Sequence, residues 1–330
     1  MRPLIRSLTQ FLILALVGVS LLASVTPGAA QAVDCPPDDA PLIPGEWARV
    51  TWETSLNLRP QPTLNLARLD VLRSGMLLEV LDGPVCADGF RWWNVRADDR
   101  VGWAADGQGA DRWLEARGHV AVIAGPDGVE RLYSLDTEGA VVERADCMRP
   151  PDDYTRTTWN GQRFSVRTVA MLRHAQQIYL RHPDSLYLNF EYQVVQGSYN
   201  PGVVAASFGT HDGGGAVDFS VRNPADFSVM GPQIPLLIDA LRTAGFAAWL
   251  RAPDELYRGS AIHIHAIAVG DAELSPAARR QIDGPEGYLR GFNGLPVPDG
   301  DDPIPDGYGE PVICQWMIDD GFGDLRGEIE

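Results

Sequence analysis

The sequence predicts an α+β protein in which an all-β N-terminal module precedes a mixed domain of helices and strands. Three observations carry that prediction. Residues 47–116 are broken into short apolar runs by turn residues and show no helical period. Residues 165–181 then place Val166, Val169, Ala170, Ile178 and Tyr179 at three- and four-residue steps, the spacing of one helix face. Residues 215–221 alternate Ala216, Asp218 and Ser220 against Val217, Phe219 and Val221, as a strand does. A length of 330 residues suits about two domains, and 45% hydrophobic residues suffice for cores of ordinary size.

The chain opens like an export signal, which we assign to residues 1–32. Arg2 and Arg6 form a positive start, residues 11–23 are an apolar run, and Ala30-Gln31-Ala32 is a small-residue cleavage site. The run is too short for a membrane helix, so no stable membrane insertion is expected after cleavage. Localisation is therefore expected to be secreted and extracellular. Cys35, Cys86, Cys147 and Cys314 suit two disulfides in such a chain, with three possible pairings. Cys147 with Cys314 would bracket the second domain. No cysteine pair has C-x-x-C spacing, which argues against a thiolate metal site. Formal charge is −17, and every basic residue is an arginine. Such an acidic chain repels phosphate backbones, which excludes nucleic acid as a partner.

After a Pro- and Asp-rich linker at 33–45, the β module covers 46–116. Residues 117–148 carry two Gly-containing turns, Pro126-Asp127-Gly128 and Thr137-Glu138-Gly139, and read as a β-connector. Arg149-Pro150-Pro151-Asp152-Asp153 marks the start of a second domain, 149–296. Within it, the helix at 165–181 is followed by a strand expected over 186–196 and a second over 215–221. Pro235 opens a helix that Gly245 closes, and a third strand runs over 261–269. Residues 297–330 form a Pro-, Gly- and Asp-rich tail, expected to be irregular, with Cys314 and Trp316 as its anchors.

The N-terminal module has Leu56-Asn57-Leu58-Arg59, then Gly89-Phe90-Arg91-Trp92-Trp93-Asn94-Val95, then Val101-Gly102-Trp103. This order resembles the bacterial Src-homology-3-like (SH3-like) family. The resemblance implies a small β-barrel that binds cell-wall peptides, with aromatic side chains able to hold a flat peptide stem. The plainer reading makes Trp92, Trp93 and Trp103 barrel core.

The second domain holds the densest polar signal. His211-Asp212-Gly213-Gly214-Gly215-Ala216-Val217-Asp218 sets a histidine and a carboxylate on either side of a glycine run, and Ala261-Ile262-His263-Ile264-His265 sets two histidines on one strand face. Two imidazoles and one carboxylate are three of the four ligands zinc prefers, leaving a position for water. Glycines let the intervening backbone turn tightly.

The pattern H-x-x-G-x-A-x-D followed by H-x-H resembles the zinc D-Ala-D-Ala carboxypeptidases and related D,D-peptidases of the Hedgehog/DD-peptidase superfamily. His211, Gly214, Ala216 and Asp218 match the first motif and His265 the final ligand. The resemblance implies an α+β fold with an antiparallel sheet, one zinc ion on His211, Asp218 and His265, and hydrolysis of peptide bonds in peptidoglycan stems. His263 matches the histidine before the last ligand and is the candidate general base; Asp254 and Glu255 are nearby alternatives. Gln196, Ser198, Tyr199, Ser207 and Trp249 are candidate substrate contacts, with Trp249 and Arg251 ending a strand beside the site. His174, His182 and His119 read as packed or solvated residues, and Asp212 as a turn residue.

Two departures keep a second reading open. Ile262 stands where many members carry an acid, and Gln196-Gly197-Ser198-Tyr199 stand where the family carries an arginine. The expected function is a secreted, cell-wall-associated zinc metallopeptidase of D,D-carboxypeptidase or endopeptidase type. The alternative is a non-catalytic wall-binding protein that keeps the fold. A purely structural zinc would need a fourth protein ligand, such as His263.

Overall fold

The computed structural model describes residues 42–52, 54–125, 128–202 and 208–327. The expected export signal, Cys35, the first two residues of the Pro126-Asp127-Gly128 turn, and Ser207 lie outside the described residues. Among those described, no helix is long and apolar enough to cross a membrane.

The N-terminal region is all β. It is built from Trp47–Val50 (β1), Leu56–Leu58 (β2), Asp70–Leu72 (β3), Leu77–Ala87 (β4), Phe90–Ala97 (β5), Arg100–Ala105 (β6), Gly107–Gln108 (β7), Asp111–Arg112 (β8) and Leu114–Gly118 (β9). Five of these form an antiparallel sheet in the order β6-β5-β4-β1-β9, while β2 pairs with β3 and β7 with β8. The alternation that predicted strands is what closes the core: Ala48 and Val50, Leu78 and Val80, and Trp93 and Val95 all point inward. Trp92 and Trp93 are both buried, whereas Trp103 is half-buried.

The connector is a three-stranded antiparallel sheet of Val120–Ala124 (β10), Glu130–Leu135 (β11) and Val141–Arg144 (β12). Arg131 Nε, 2.8 Å from Asp239 Oδ1, and Arg144, paired with the same carboxylate, tie it to the second domain. Trp52, donating to the Arg149 carbonyl and edge-on to His174 at 5.4 Å, ties the N-terminal region there as well.

The second domain begins with a hairpin, Arg156–Trp159 (β13) and Gln162–Ser165 (β14), that leads straight into helix Val166–Arg181 (α1). Ser165 caps it, its Oγ accepting from the Thr168 amide. After Phe190–Gln193 (α2) come Val194–Gln196 (β15), Ala216–Ser220 (β16), Ile234–Thr243 (α3), Phe246–Arg251 (β17), His263–Ala268 (β18) and Pro276–Asp283 (α4). The four strands make one antiparallel sheet in the order β15-β16-β18-β17. Period two divides it into faces. Val217, Phe219, Phe246, Ala248, Ile264, Ala266 and Ala268 pack on α1 and α3 in the larger core. The opposite face is shared: Ala216, Ala247, Trp249 and Ile267 pack under α4 and the C-terminal segment, and Asp218, Ser220, His263, His265 and Arg251 line an open cavity.

Two expectations are corrected. The strand expected over 186–196 is confined to β15, because Asn189 caps a helical turn at α2, its Oδ1 accepting from the Glu191 amide at 3.0 Å. The tail is not irregular throughout: Gln315–Asp319 (α5) is helical. Its buried Trp316 and the Cys147–Cys314 disulfide fix it against the domain. That disulfide has the expected pairing, and Cys86 is also disulfide-bonded.

Candidate metal centre

Strand register assembles the centre. Asp218 of β16 lies directly opposite His265 of β18, and opposite Gln196 of β15 on its other side. Trp249 of β17 completes the row beyond His265. One step along, Ser220, His263 and Arg251 form a second row. Residues two apart share a face, so both rows open into the same cavity, about 310 Å³ in volume.

His211 enters from a tight turn, Thr210–Asp212, with Gly209 in the left-handed region at φ 80°. The glycines after it answer to close approach rather than to looseness. A Cβ on Gly213 would stand 2.3 Å from the Glu273 carbonyl oxygen, and one on Gly214 3.0 Å from the Tyr199 hydroxyl. The segment before α4 therefore presses directly on the loop that carries His211. Asn200 and Tyr199 donate their amides to the carbonyls of His211 and Gly213, both at 2.8 Å, which clamps the turn from the other side.

Three donor atoms converge: His211, Asp218 and His265 each offer one within 4.8 Å of the others. His211 Nδ1–H donates to the Gly197 carbonyl at 2.9 Å, leaving the Nε2 lone pair 3.2 Å from Asp218 Oδ1. That Nε2 is buried and has no hydrogen-bond partner among the described residues. His265 lies between two acceptors, Asp218 Oδ1 at 2.7 Å from Nδ1 and Gln281 Oε1 at 3.1 Å from Nε2. Burial pulls its pKa down to about 4, against Asp218, which raises it. At neutral pH the ring thus carries one proton, which cannot serve both acceptors. A cation between Nδ1 and Oδ1, with Nε2–H kept on Gln281, satisfies every group.

The other charges agree with a cation. Burial pushes the Asp218 carboxyl up, but the imidazoles of His211 and His265 outweigh it and hold the group well below the usual carboxylate range. The His211 pKa is raised: burial lowers it, and Asp218 more than compensates. A second cluster, Glu143 with Cys147 and Cys314, offers no thiolate, because its cysteines form the disulfide.

His263 stands beside the trio rather than in it. Its Nδ1–H donates to the Ala261 carbonyl at 2.8 Å, so Nε2 presents a lone pair, 3.7 Å from Asp218 Oδ1. Half-exposed Gln196 also lines the cavity, and Val195, Phe208 and Tyr257 form an exposed apolar rim.

Three expected substrate contacts are instead part of the frame. Ser198 is fully buried and donates its hydroxyl to the Ala216 carbonyl at 2.8 Å. Tyr199 is buried with its hydroxyl on the Glu273 carboxylate. Trp249 is buried behind the site, its ring stacked on the His265 imidazole at 6.2 Å and its Nε1–H on the Phe292 carbonyl. Asp254 and Glu255 accept from backbone amides of Gly259 and Ala252 in the loop before β18 and do not line the cavity. His174 is a packed helix residue, donating to the Asp146 carbonyl at 2.8 Å. Gln281 was not anticipated. Its signal was the Ser275-Pro276 helix start, which places Ala278, Gln281 and Ile282 on one buried face of α4.

Comparison of the chain with protein-family models, with curated proteins and with solved structures finds no match.

Proposed function

We propose that the chain is an exported zinc-dependent peptidase that hydrolyses peptide bonds in peptidoglycan stem peptides, with a peptidase-like second domain and an SH3-like N-terminal module. One observation carries the reading. His211 Nε2, Asp218 Oδ1 and His265 Nδ1 meet at the floor of an open cavity, within reach of a single ion, with one further imidazole beside them. Two nitrogens and one oxygen form a donor set suited to zinc with a position left for water, the arrangement of catalytic rather than structural sites.

Zinc bound there would supply Lewis acidity toward a carbonyl and a water that ionises near neutral pH. The chain's own groups divide the remaining work. Asp218 brings the negative charge that balances the ion. Gln281 and the Gly197 carbonyl fix the tautomers of His265 and His211, so that the correct nitrogens face inward. His263, held by Ala261, has its Nε2 lone pair free to accept a proton from the attacking water and return it to the leaving amine. The apolar rim of Val195, Phe208 and Tyr257 offers surface to flanking parts of the substrate.

Two features support the wall as the site of action. The leader and the disulfides suit an exported chain. The N-terminal sheet has a cleft of about 230 Å³ in which the half-buried Phe90 and Trp113 offer aromatic faces for a peptide stem, with buried Trp92 behind them. Zinc-loaded protein incubated with purified muropeptides should yield products one or two residues shorter, read by mass spectrometry. Wall binding without new products would support the non-catalytic reading instead.

A further inference from the structure

Glu143, Cys147 and Cys314 form the second cluster of metal-binding side chains among the described residues, and they take no part in the chemistry above. The Glu143 carboxylate and the two sulfurs lie within 4.8 Å of one another. Cys147 is 2% exposed and Cys314 is fully buried. Glu143 is held by both oxygens: Oε1 accepts from Arg117 Nη2 at 3.0 Å, and Oε2 from the Gln315 amide at 2.8 Å. While the disulfide stands, the sulfurs have no charge to offer, and Arg117 balances the carboxylate.

An unused donor stands beside the cluster. Ser134 of β11 is directly opposite Glu143 of β12, so the two side chains share a face of the connector sheet. Ser134 is 8% exposed, and its Oγ is buried with no hydrogen-bond partner among the described residues. Such a hydroxyl destabilises the fold, and a water held on this face would give it a partner.

We propose that reduction of the Cys147–Cys314 bond turns this cluster into a second metal site, in which Glu143, Cys147 and Cys314 bind a zinc-like divalent cation that fastens the C-terminal tail in place of the disulfide. The inference is independent of the peptidase reading. A dithiol reductant supplies two electrons and two protons: the S–S bond breaks, both sulfurs become thiols, and the reductant closes to its own disulfide. The ion then displaces both thiol protons to solvent and binds two thiolates. Sulfur ligands favour zinc-like ions over magnesium or calcium, and water fills the fourth position. Two thiolates and a carboxylate exceed the charge of a divalent ion by one, and Arg117 cancels the excess. Zinc–sulfur bonds of about 2.3 Å at a tetrahedral angle set the sulfurs about 3.8 Å apart. The Cα atoms are 5.5 Å apart, and rotation about each Cα–Cβ bond lets the sulfurs part that far without moving the backbone. Both cysteines belong to the core that includes Trp249, Ile282 and Trp316. A clip there, covalent or metallic, keeps that core closed behind the Trp249 ring and the helix that carries Gln281.

The test uses the full chain with cobalt(II) as probe. Thiolates give cobalt an intense near-ultraviolet charge-transfer band that imidazole and carboxylate ligands do not, so His211, Asp218 and His265 are silent in it. Protein reduced with a dithiol, desalted under argon and native by circular dichroism should develop the band with about one equivalent of cobalt, and zinc should abolish it. Oxidised protein should show none. C314S should lose the band, and C35S/C86S should keep it. E143Q should weaken cobalt binding by more than the about 10-fold that loss of an outer-shell partner costs. In H265A, zinc should raise the thermal midpoint of reduced protein and leave that of oxidised protein unchanged. A reduced H265A chain that needs zinc to regain its native spectrum supports the proposal as well. Reduced wild-type protein that is folded and gives no band overturns it. So does a band that survives C314S, is lost in C35S/C86S, arises only in unfolded chain, or forms as tightly in folded E143Q. Should E143Q fail to fold, E143D, which keeps the charge and shortens the reach, decides by the same weakening. Failure of the peptidase reading leaves all of these results unchanged.

Discussion

Gln281 Oε1 sits 3.1 Å from His265 Nε2, on the opposite edge of the ring from Asp218. The amide therefore decides which nitrogen of His265 is available to an ion. Replacing Gln281 by Leu keeps the volume of the buried helix face and removes the acceptor. Zinc affinity should fall by about 10- to 100-fold, measured by competition with a chromophoric chelator. An unchanged affinity would mean that the ring is held by the Trp249 stack alone.

His263 is placed to move protons without holding the ion. The H263A variant should retain wild-type zinc content, while its kcat on a stem peptide falls about 10²- to 10⁴-fold. Loss of zinc from H263A would instead make this residue a fourth ligand and the ion structural.

Gly213 carries the contact between the His211 turn and the segment before α4. At φ −100° its backbone is open to any residue, so the objection to a side chain is steric. In Gly213→Ala the new methyl group meets the Glu273 carbonyl oxygen and the Ser275 amide nitrogen, 2.3 and 2.6 Å away. Overpacking of this kind costs about 1–3 kcal/mol, and it should displace His211. Denaturant unfolding and zinc titration should both register the change; a neutral Gly213→Ala would remove the argument that this glycine is sterically required.

His174 sets an acid limit. Burial holds its pKa near 4, against the ordinary value of 6.5, with Nε2–H on the Asp146 carbonyl and Trp52 edge-on to the ring. Unfolding therefore takes up a proton between those values, and stability falls as pH drops from 6.5 toward 4. The full effect is about 3 kcal/mol. The thermal midpoint of His174→Gln should depend less on pH across that window than that of the wild type. Equal slopes would assign the acid sensitivity to other groups.

The metal trio was legible because its geometry is local twice over. A glycine run brings His211 back toward Asp218, and strand periodicity fixes the face of Asp218 and of His265. Only the pairing of β16 with β18 had to come from the fold, and the register supplies it residue against residue. Ser198, Tyr199 and Trp249 misled because all three lie in or beside the right segments. Whether a side chain faces the cavity or the frame behind it depends on what packs there, and the segments on either side of α4, with Glu273 before it and Phe292 after it, are what hold Tyr199 and Trp249. Gln281 was harder to place for the complementary reason: the Ser275-Pro276 start puts it on the buried face of a helix, but nothing local says that this face meets His265, 16 residues earlier. The strand expected over 186–196 failed at Asn189, whose side-chain cap turns the chain into a helical step before pairing begins.

The most direct test is the metal content of the purified protein, wild type beside H265A, by inductively coupled plasma mass spectrometry after dialysis against limiting zinc. We predict about one zinc per wild-type chain and none in H265A, with both proteins folded. A folded wild-type chain that retains no zinc, or an H265A chain that retains as much as the wild type, would contradict a centre formed by His211, Asp218 and His265.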